Sequence, residues 1–300
     1  MVDQSPPPRP PEGSNGDETA TIAAEEPTIL YQVLEGRVCV LTLNRPHRNN
    51  ALTLQMQKDY FAALRRAERD ERVVVVVVTG AGRSFCVGAD MELLVSATAA
   101  PEKSADGSAV WHDQKNVEQA QMRLLTKPVV GAINGAAAGL GLVLALWCDV
   151  RFVSQKAKLT FSFSQRGLVA EHGISWLLPR IVGLSRALDL LLTSRVVKGK
   201  EAVALGLAEY DAPDGSSAVE AAISYARGLA ANCSPAAMCE VRRSIYSDFA
   251  RGADEASSDA ISLMLASLAH PDAVEGVASY LERRPSRFEG LRAGQIRSRL

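Results

Sequence analysis

Apolar and polar residues alternate through TILYQVLEGRVCVLTLN, residues 28–44, on both sides of Glu35-Gly36. A period of two marks strands with one covered face and the Glu-Gly pair marks a turn, so a hairpin is expected, ended by Arg45-Pro46. Over residues 53 to about 69 the apolar positions change to helical spacing, at Leu54, Met56, Tyr60, Phe61 and Leu64. Residues 73–78 are an unbroken run of valine, the pattern of a strand buried on both faces. Beyond it the chain predicts a Gly-rich loop, a helix from about Met91, a helix over 117–125, a strand over 129–133, another helix and a strand over 150–154. Such alternation of strand and helix implies an α/β protein with parallel pairing. From about Ala218 the strand pattern stops, and AVEAAISYARGLAANCSPAAMCEVRRSIYSDFARG and residues 254–283 read as helices. The expected organisation is therefore a tail over residues 1–26, a core over 27–217 and a helical region over 218–300.

Composition removes several alternatives. The tail, MVDQSPPPRPPEGSNGDETATIAAEE, is rich in Pro, Gly, Ser and acids and has no apolar targeting run, so disorder is expected there. PVVGAINGAAAGLGLVLALWCDV is long and apolar enough to suit a membrane helix, but Asn134-Gly135 is a turn signal that divides it into a strand and a separate helix. No membrane span is expected, and the cytoplasm is the expected location. A formal net charge of -1 gives no electrostatic footprint for nucleic acid, so an anionic ligand must be held by local groups. Cys39, Cys86, Cys148, Cys233 and Cys239 are odd in number and widely spread, which fits reduced core residues.

Chemistry enters at SFCVGAD and at NGAAAGLGLVLALWCD, two Gly-rich turns that each lead into a helix. The first amides of a helix lack intrahelical partners and carry the positive end of its dipole, so they receive an oxygen that becomes negative. Two such donors converging on one thioester oxygen make an oxyanion hole. With LNRPHRNNAL, GLVAEHGISWLLPRIVG and DAVEGVASYLERRPSRF, these segments resemble the crotonase (enoyl-CoA hydratase/isomerase) family in order and spacing, from about residue 28 to residue 288. The resemblance implies an α/β crotonase (ClpP-like) spiral of ββα repeats with a C-terminal helical trimerisation domain, assembled as a homotrimer or hexamer. It implies an acyl-CoA thioester as substrate, in fatty-acid metabolism, with the Ala89 and Leu140 amides as oxyanion donors. Gly88, Gly139 and Gly141 would let the backbone approach the ligand, and Arg48, Arg283, Arg284 and Arg287 would meet the CoA phosphates. No metal cluster, Walker loop or dinucleotide fingerprint is present in the sequence, so no cofactor beyond the CoA of the substrate is expected.

The carboxylates set the reaction. Hydratases of the family usually carry two glutamates, at positions that align with Val143 and Phe163, and neither side chain exchanges a proton. Glu171, in VAEHG, matches the position where several double-bond isomerases of the family place a carboxylate. One carboxylate can take a proton from one carbon of an enolisable thioester and return it to another, which suits isomerisation without activated water. Trp176, Leu177 and Phe163 are expected beside it, lining the acyl pocket. A hydratase using Glu171 in a non-standard arrangement, and an acyl-CoA binder without catalysis, remain open on residues alone. His172 would orient the carboxylate or titrate itself. Asp90 reads as a helix cap before MELL, Asp149 as a structural residue between helix and strand. His112 and Asp113 lie in SATAAPEKSADGSAVWHDQ, whose composition suggests a mobile loop closing over the acyl chain. Ser162, Ser164 and Ser175 have no Gly-x-Ser-x-Gly setting, which argues against serine hydrolysis.

Overall fold

The structure is a computed structural model that describes residues 26–99 and 118–291. Residues 1–25 and the segment carrying His112 and Asp113 lie outside the described residues. The chain opens with β1 (Ile29–Leu34) and β2 (Val38–Leu43), an antiparallel hairpin in register from Ile29 opposite Leu43 to Leu34 opposite Val38. Helix α1 (Leu54–Arg69) follows, with the Thr53 hydroxyl accepting from the Met56 amide and Lys127 Nζ donating to the Ala67 and Asp70 carbonyls at its end. Both ends thus have partners for backbone groups the helix leaves open.

Three repeats come next. β3 (Val75–Gly80) and β4 (Ser84–Cys86) lead to α2 (Met91–Ala99) and the short α3 (Glu118–Gln121). β5 (Val129–Ile133) and β6 (Ala136–Ala138) lead to α4 (Leu140–Leu146). β7 (Val150–Ser154) and β8 (Lys158–Thr160) lead to α5 (Ile174–Val182) and α6 (Leu184–Thr193). β9 (Val197–Lys198), α7 (Gly199–Leu205) and β10 (Tyr210–Ala212) complete the strands. Each pair gives its first strand to a six-stranded sheet, ordered β1-β2-β3-β5-β7-β10, and its second to a four-stranded sheet, ordered β4-β6-β8-β9. Pairing is parallel except at β1 with β2 and at β8 with β9. The chain therefore winds as a spiral of strand, strand and helix.

The valine run explains itself in this setting. Val76 and Val78 enter the core cluster shared with Tyr60, Phe85 and Trp147, whereas Val75 and Val77 enter a second cluster on the opposite face with Ala222 and Ala226. Both faces are covered, so alternation has no cause. The second cover is α8 (Gly215–Asn232), followed by α9 (Pro235–Asp248), α10 (Ala253–Leu268) and α11 (Pro271–Leu281). The division expected after residue 217 falls inside α8, a helix that packs on the six-stranded sheet.

Two local expectations change. The helix expected over 117–125 is the four-residue α3 followed by a tight turn over Met122–Leu124. Within 128–150 the apolar stretch is broken into β5, β6 and α4 by Asn134-Gly135 and by Gly139, and among the described residues no helix is long and apolar enough to cross a membrane.

Candidate active site

After β4 the chain passes through Val87, Gly88 and Ala89 beside Leu52. Leu52 donates its amide to the Gly88 carbonyl at 2.8 Å and accepts from the Asp90 amide at 2.9 Å. In a parallel bridge of this register the middle residue faces away, so the N–H of Ala89 points away from Leu52. After β6, Gly139 takes φ 48 and ψ -125, a conformation that favours glycine, and donates to the Thr160 carbonyl at 3.0 Å. Leu140 then begins α4, so its amide has no helical partner. Among the described residues neither the Ala89 nor the Leu140 amide donates to a main-chain carbonyl.

The glycines bring these turns together. A Cβ on Gly88 would lie 2.8 Å from the Ala138 carbonyl oxygen and 3.5 Å from the Leu140 nitrogen, and one on Gly141 would lie 2.2 Å from the Cys86 carbonyl oxygen. With standard backbone dimensions, the first contact holds the Ala89 and Leu140 nitrogens within about 7 Å of one another. Gly88 and Gly141 were expected to make room for a ligand. The nearest atoms to a Cβ at either position are protein main chain, so both glycines also make room for the other turn. Cys86, packed beneath, has its thiol pushed up to about 12 by burial, with the Gly88 amide opposing in part, so it stays a neutral core group.

Asp90 follows Ala89 and is almost wholly buried. Its carboxylate accepts from Arg45 at 3.0 Å, from Arg48 at 3.2 Å and from the Glu92 amide at 3.2 Å. Burial pushes its titration up, but the bonds from Arg45, the Glu92 amide and Arg48 outweigh it and hold it below the ordinary carboxylate range. Asp90 is thus a cap and an ion-pair centre, as its position before α2 suggested. Arg48 also donates to Glu92 at 2.8 Å, so the guanidinium expected to meet CoA phosphates is held by two carboxylates at the rim of the turn. Arg287 is not brought to this region. Its amide donates to Glu275 at 2.6 Å, and the neighbouring Phe288 carbonyl accepts from Arg37, at the start of β2, whereas the two turns follow β4 and β6. Arg284 is likewise paired with Glu275 and Glu282, which holds the Glu275 carboxyl down at about 2.

Glu171 stands in the turn before α5, its side chain 39% exposed, with Oε2 at 3.3 Å from His172 Nε2. His172 and Gly173 both adopt left-handed φ, 55° and 76°. Trp147 Nε1, at the end of α4, donates to the His172 carbonyl at 3.1 Å. One helix thus carries the Leu140 amide at its start and anchors the Glu171 turn at its end, about 10 Å along its axis. His172 Nδ1 lies 3.1 Å from Gln119 Oε1, and the Gln119 amide makes a long contact of 3.5 Å to Gln57 Oε1. Both glutamines are buried, and Gln57 Nε2 has no partner among the described residues. Trp176, expected to line an acyl pocket, stacks on Trp147 at 6.2 Å, with the Arg180 guanidinium 4.3 Å and Phe249 5.5 Å from its ring. An open cavity of about 480 Å³ is lined by Asn49, Arg83, Val87, Lys156 and Lys158, and Glu171 is not part of its wall.

The sequence matches the family model for enoyl-CoA hydratase/isomerase over residues 34–292. The chain belongs to the enoyl-CoA hydratase/isomerase family, within the crotonase superfamily. Among its relatives is a probable enoyl-CoA hydratase of Mycobacterium leprae, 41% identical over 184 residues that span 59% of this chain and 61% of that protein. Another is the 1,2-epoxyphenylacetyl-CoA isomerase of Escherichia coli, 35% identical over 204 residues, 67% of this chain and 76% of that one. The crystal structure of an enoyl-CoA hydratase from Polaromonas sp. JS666 superposes with a TM-score of 0.78 at 27% identity, covering 87% of this chain and 99% of the other. The spiral is the crotonase fold.

Val143 and Phe163 are the positions where the family resemblance implies the two hydratase glutamates. Both are buried members of the apolar core. Asp149 is structural: it accepts from the Val129 amide at 2.8 Å, from Arg242 at 3.0 and 2.8 Å, and from the Tyr246 hydroxyl at 3.1 Å. Ser164 bonds Ser194 at 2.9 Å and the Leu192 carbonyl at 2.8 Å, a loop tie. Among the described residues no group of three His, Cys, Asp or Glu side chains is placed to hold a metal ion. The buried amides Gln57 and Gln119 were missed. Gln57 had a signal in the sequence, since it interrupts the apolar stripe of α1 that continues through Tyr60, Phe61 and Leu64.

Proposed function

We propose that this chain binds an enoyl-CoA thioester and moves its double bond, with Glu171 as the single proton carrier. The thioester oxygen is received by the Ala89 and Leu140 amides, which stabilise the enolate formed when a proton leaves the α-carbon. Glu171 takes that proton from C2 of a 3-enoyl-CoA, the dienolate forms, and the same carboxyl returns the proton to C4, giving the conjugated 2-enoyl-CoA. Atoms balance without water, and CoA enters only as part of the substrate. The observation that carries this reading is a half-exposed carboxylate anchored to α4, in a site where the Val143 and Phe163 positions offer no second one.

Separate incubation with a 3-enoyl-CoA and a 2-enoyl-CoA tests it. The expected result is conversion of the first to the conjugated product and little hydration of the second. Glu171→Gln is expected to lower kcat by about 10²-fold or more while CoA affinity stays within about twofold. Rapid formation of a 3-hydroxyacyl product would overturn isomerisation, and undiminished function in Glu171→Gln would turn the reading to an acyl-CoA binder.

A further inference from the structure

A chain of side-chain contacts runs from the core to the proposed base. Gln57 on α1 and Gln119 on α3 are 6% and 2% exposed, the His172 side chain 12% and the Glu171 side chain 39%. The successive separations are 3.5 Å from Gln57 to Gln119, 3.1 Å from Gln119 to His172 Nδ1 and 3.3 Å from His172 Nε2 to Glu171. Both imidazole nitrogens are therefore engaged.

A neutral imidazole has one donor and one acceptor, and an ionised carboxylate only accepts. If Glu171 is to stand ready as a base, the hydrogen must sit on Nε2, where it bonds Oε2, and Nδ1 must then accept. Among the described residues its near partner is the Gln119 amide, which satisfies Nδ1 by turning its NH2 toward the ring. Amide oxygen and nitrogen have nearly the same size, so this half-turn costs no space. Gln119 then directs its oxygen to Gln57, which must donate. The group available to do so is Gln57 Nε2, the buried donor otherwise left without a partner among the described residues. Turning both amides leaves an unpaired oxygen on Gln57 in place of an unpaired N–H, and an under-satisfied carbonyl is the more tolerable of the two.

We propose, resting on the reading of Glu171 as the base, that Gln57 and Gln119 form a buried amide relay in which every donor points toward the carboxylate. Gln57 donates to Gln119, Gln119 to His172 Nδ1, and His172 Nε2–H to Glu171 Oε2, which leaves Oε1 to take the substrate proton. His172 is a positioning residue and Gln119 sets its tautomer. Amides serve where ions would not, because they hold a ring in the core without burying charge. The Trp147 bond to the His172 carbonyl fixes the left-handed main chain on which the ring depends.

Nitrogen NMR of the full chain labelled at histidine, with the His172 signals assigned by their loss in His172→Asn, reads the tautomer directly. The Nε2–H form is expected at neutral pH, and the Nδ1–H form overturns the relay. Gln119→Leu, which keeps bulk and removes both bonds, is expected to mix the tautomers and lower kcat about tenfold with KM within about twofold, the mark of a misplaced base. Gln119→Glu, whose carboxylate accepts only, is expected to put hydrogen on both ring nitrogens. A folded Gln119→Leu protein with the wild-type tautomer and kcat refutes the proposal. If that variant does not fold, the wild-type spectrum still decides. Should Glu171→Gln remain fully active, the reading of the base fails while the tautomer measurement stands on its own.

Discussion

At Gly141 the main chain of α4 lies so close to β4 that a methyl group would fall 2.2 Å from the Cys86 carbonyl oxygen, and backbone has no rotamer with which to move aside. Replacing Gly141 with Ala therefore separates the two turns. It is expected to cost about 1–3 kcal/mol of stability, the range for overpacking, and to lower turnover beyond what the stability loss explains, because the Leu140 amide moves with the helix. Gly228 gives the contrast. It lies on the exposed side of α8 with nothing within 4 Å of a built Cβ, so Gly228→Ala is expected to stabilise the protein by about 0.5–1 kcal/mol with unchanged kcat. Urea unfolding and steady-state kinetics on the two variants check both statements. A Gly141→Ala protein as active as wild type would show that the contact between the turns does not place the oxyanion donors. At this scale the sequence was partly legible: glycines mark both turns, yet only packing shows that Gly88 and Gly141 are where one turn's main chain meets the other's.

Elements are joined by a few polar clamps, and the strongest fixes α9 to the site. Arg242 Nε donates to both Asp149 oxygens, its other nitrogens donate to the carbonyls of Met122, Arg123 and Leu125, and Tyr246 lies 5.0 Å from its charge. Asp149 stands just beyond α4, so the C-terminal helices are tied to the helix that carries Leu140. Removing one partner of a buried pair leaves the other charge uncompensated, and Arg242→Met is expected to cost about 3–5 kcal/mol in urea unfolding. A loss below about 1 kcal/mol would mean that water already reaches Asp149. No sequence pattern announces this clamp, since Asp149 and Arg242 are far apart along the chain. Local periodicity does find β1, β2, α1, β5 and β7, and the valine run finds β3. It cannot find the four-stranded sheet, because SFC, AAA, KLT and VK are too short to show any period. The Gln57, Gln119 and His172 relay was hidden for the same reason as the clamp, and only the polar residue on the stripe of α1 hinted at it.

Across the whole molecule, the central strands β3 and β5 are covered on both faces while the last helices are not. Helix α10 buries no residue, yet Ile261, Met264, Leu265 and Leu268 fall at helical spacing on one exposed side. On α11, Val274, Val277 and Leu281 repeat the pattern, and Tyr280 is 83% exposed. A helix of this length gains its stability mainly from packing an apolar stripe, which α10 does not do within one chain. Covering each large side chain is worth about 1.5–3 kcal/mol, and patches of this kind mark contact surfaces on soluble proteins. The stripe of Leu184, Leu188 and Leu192 on α6 is a second exposed apolar face on the same chain, so a second copy supplies a matching surface. These faces fit contact between copies of the chain, and the number of copies, a homotrimer or hexamer, is what the family resemblance implies. Light scattering at micromolar concentration is expected to give a mass that is a multiple of three chains. Leu265→Asp combined with Tyr280→Asp is expected to shift it toward one chain and to lower the melting temperature, because the helices lose their cover. A monomeric wild-type protein with cooperative unfolding of α10 would show instead that the helix stands without a partner.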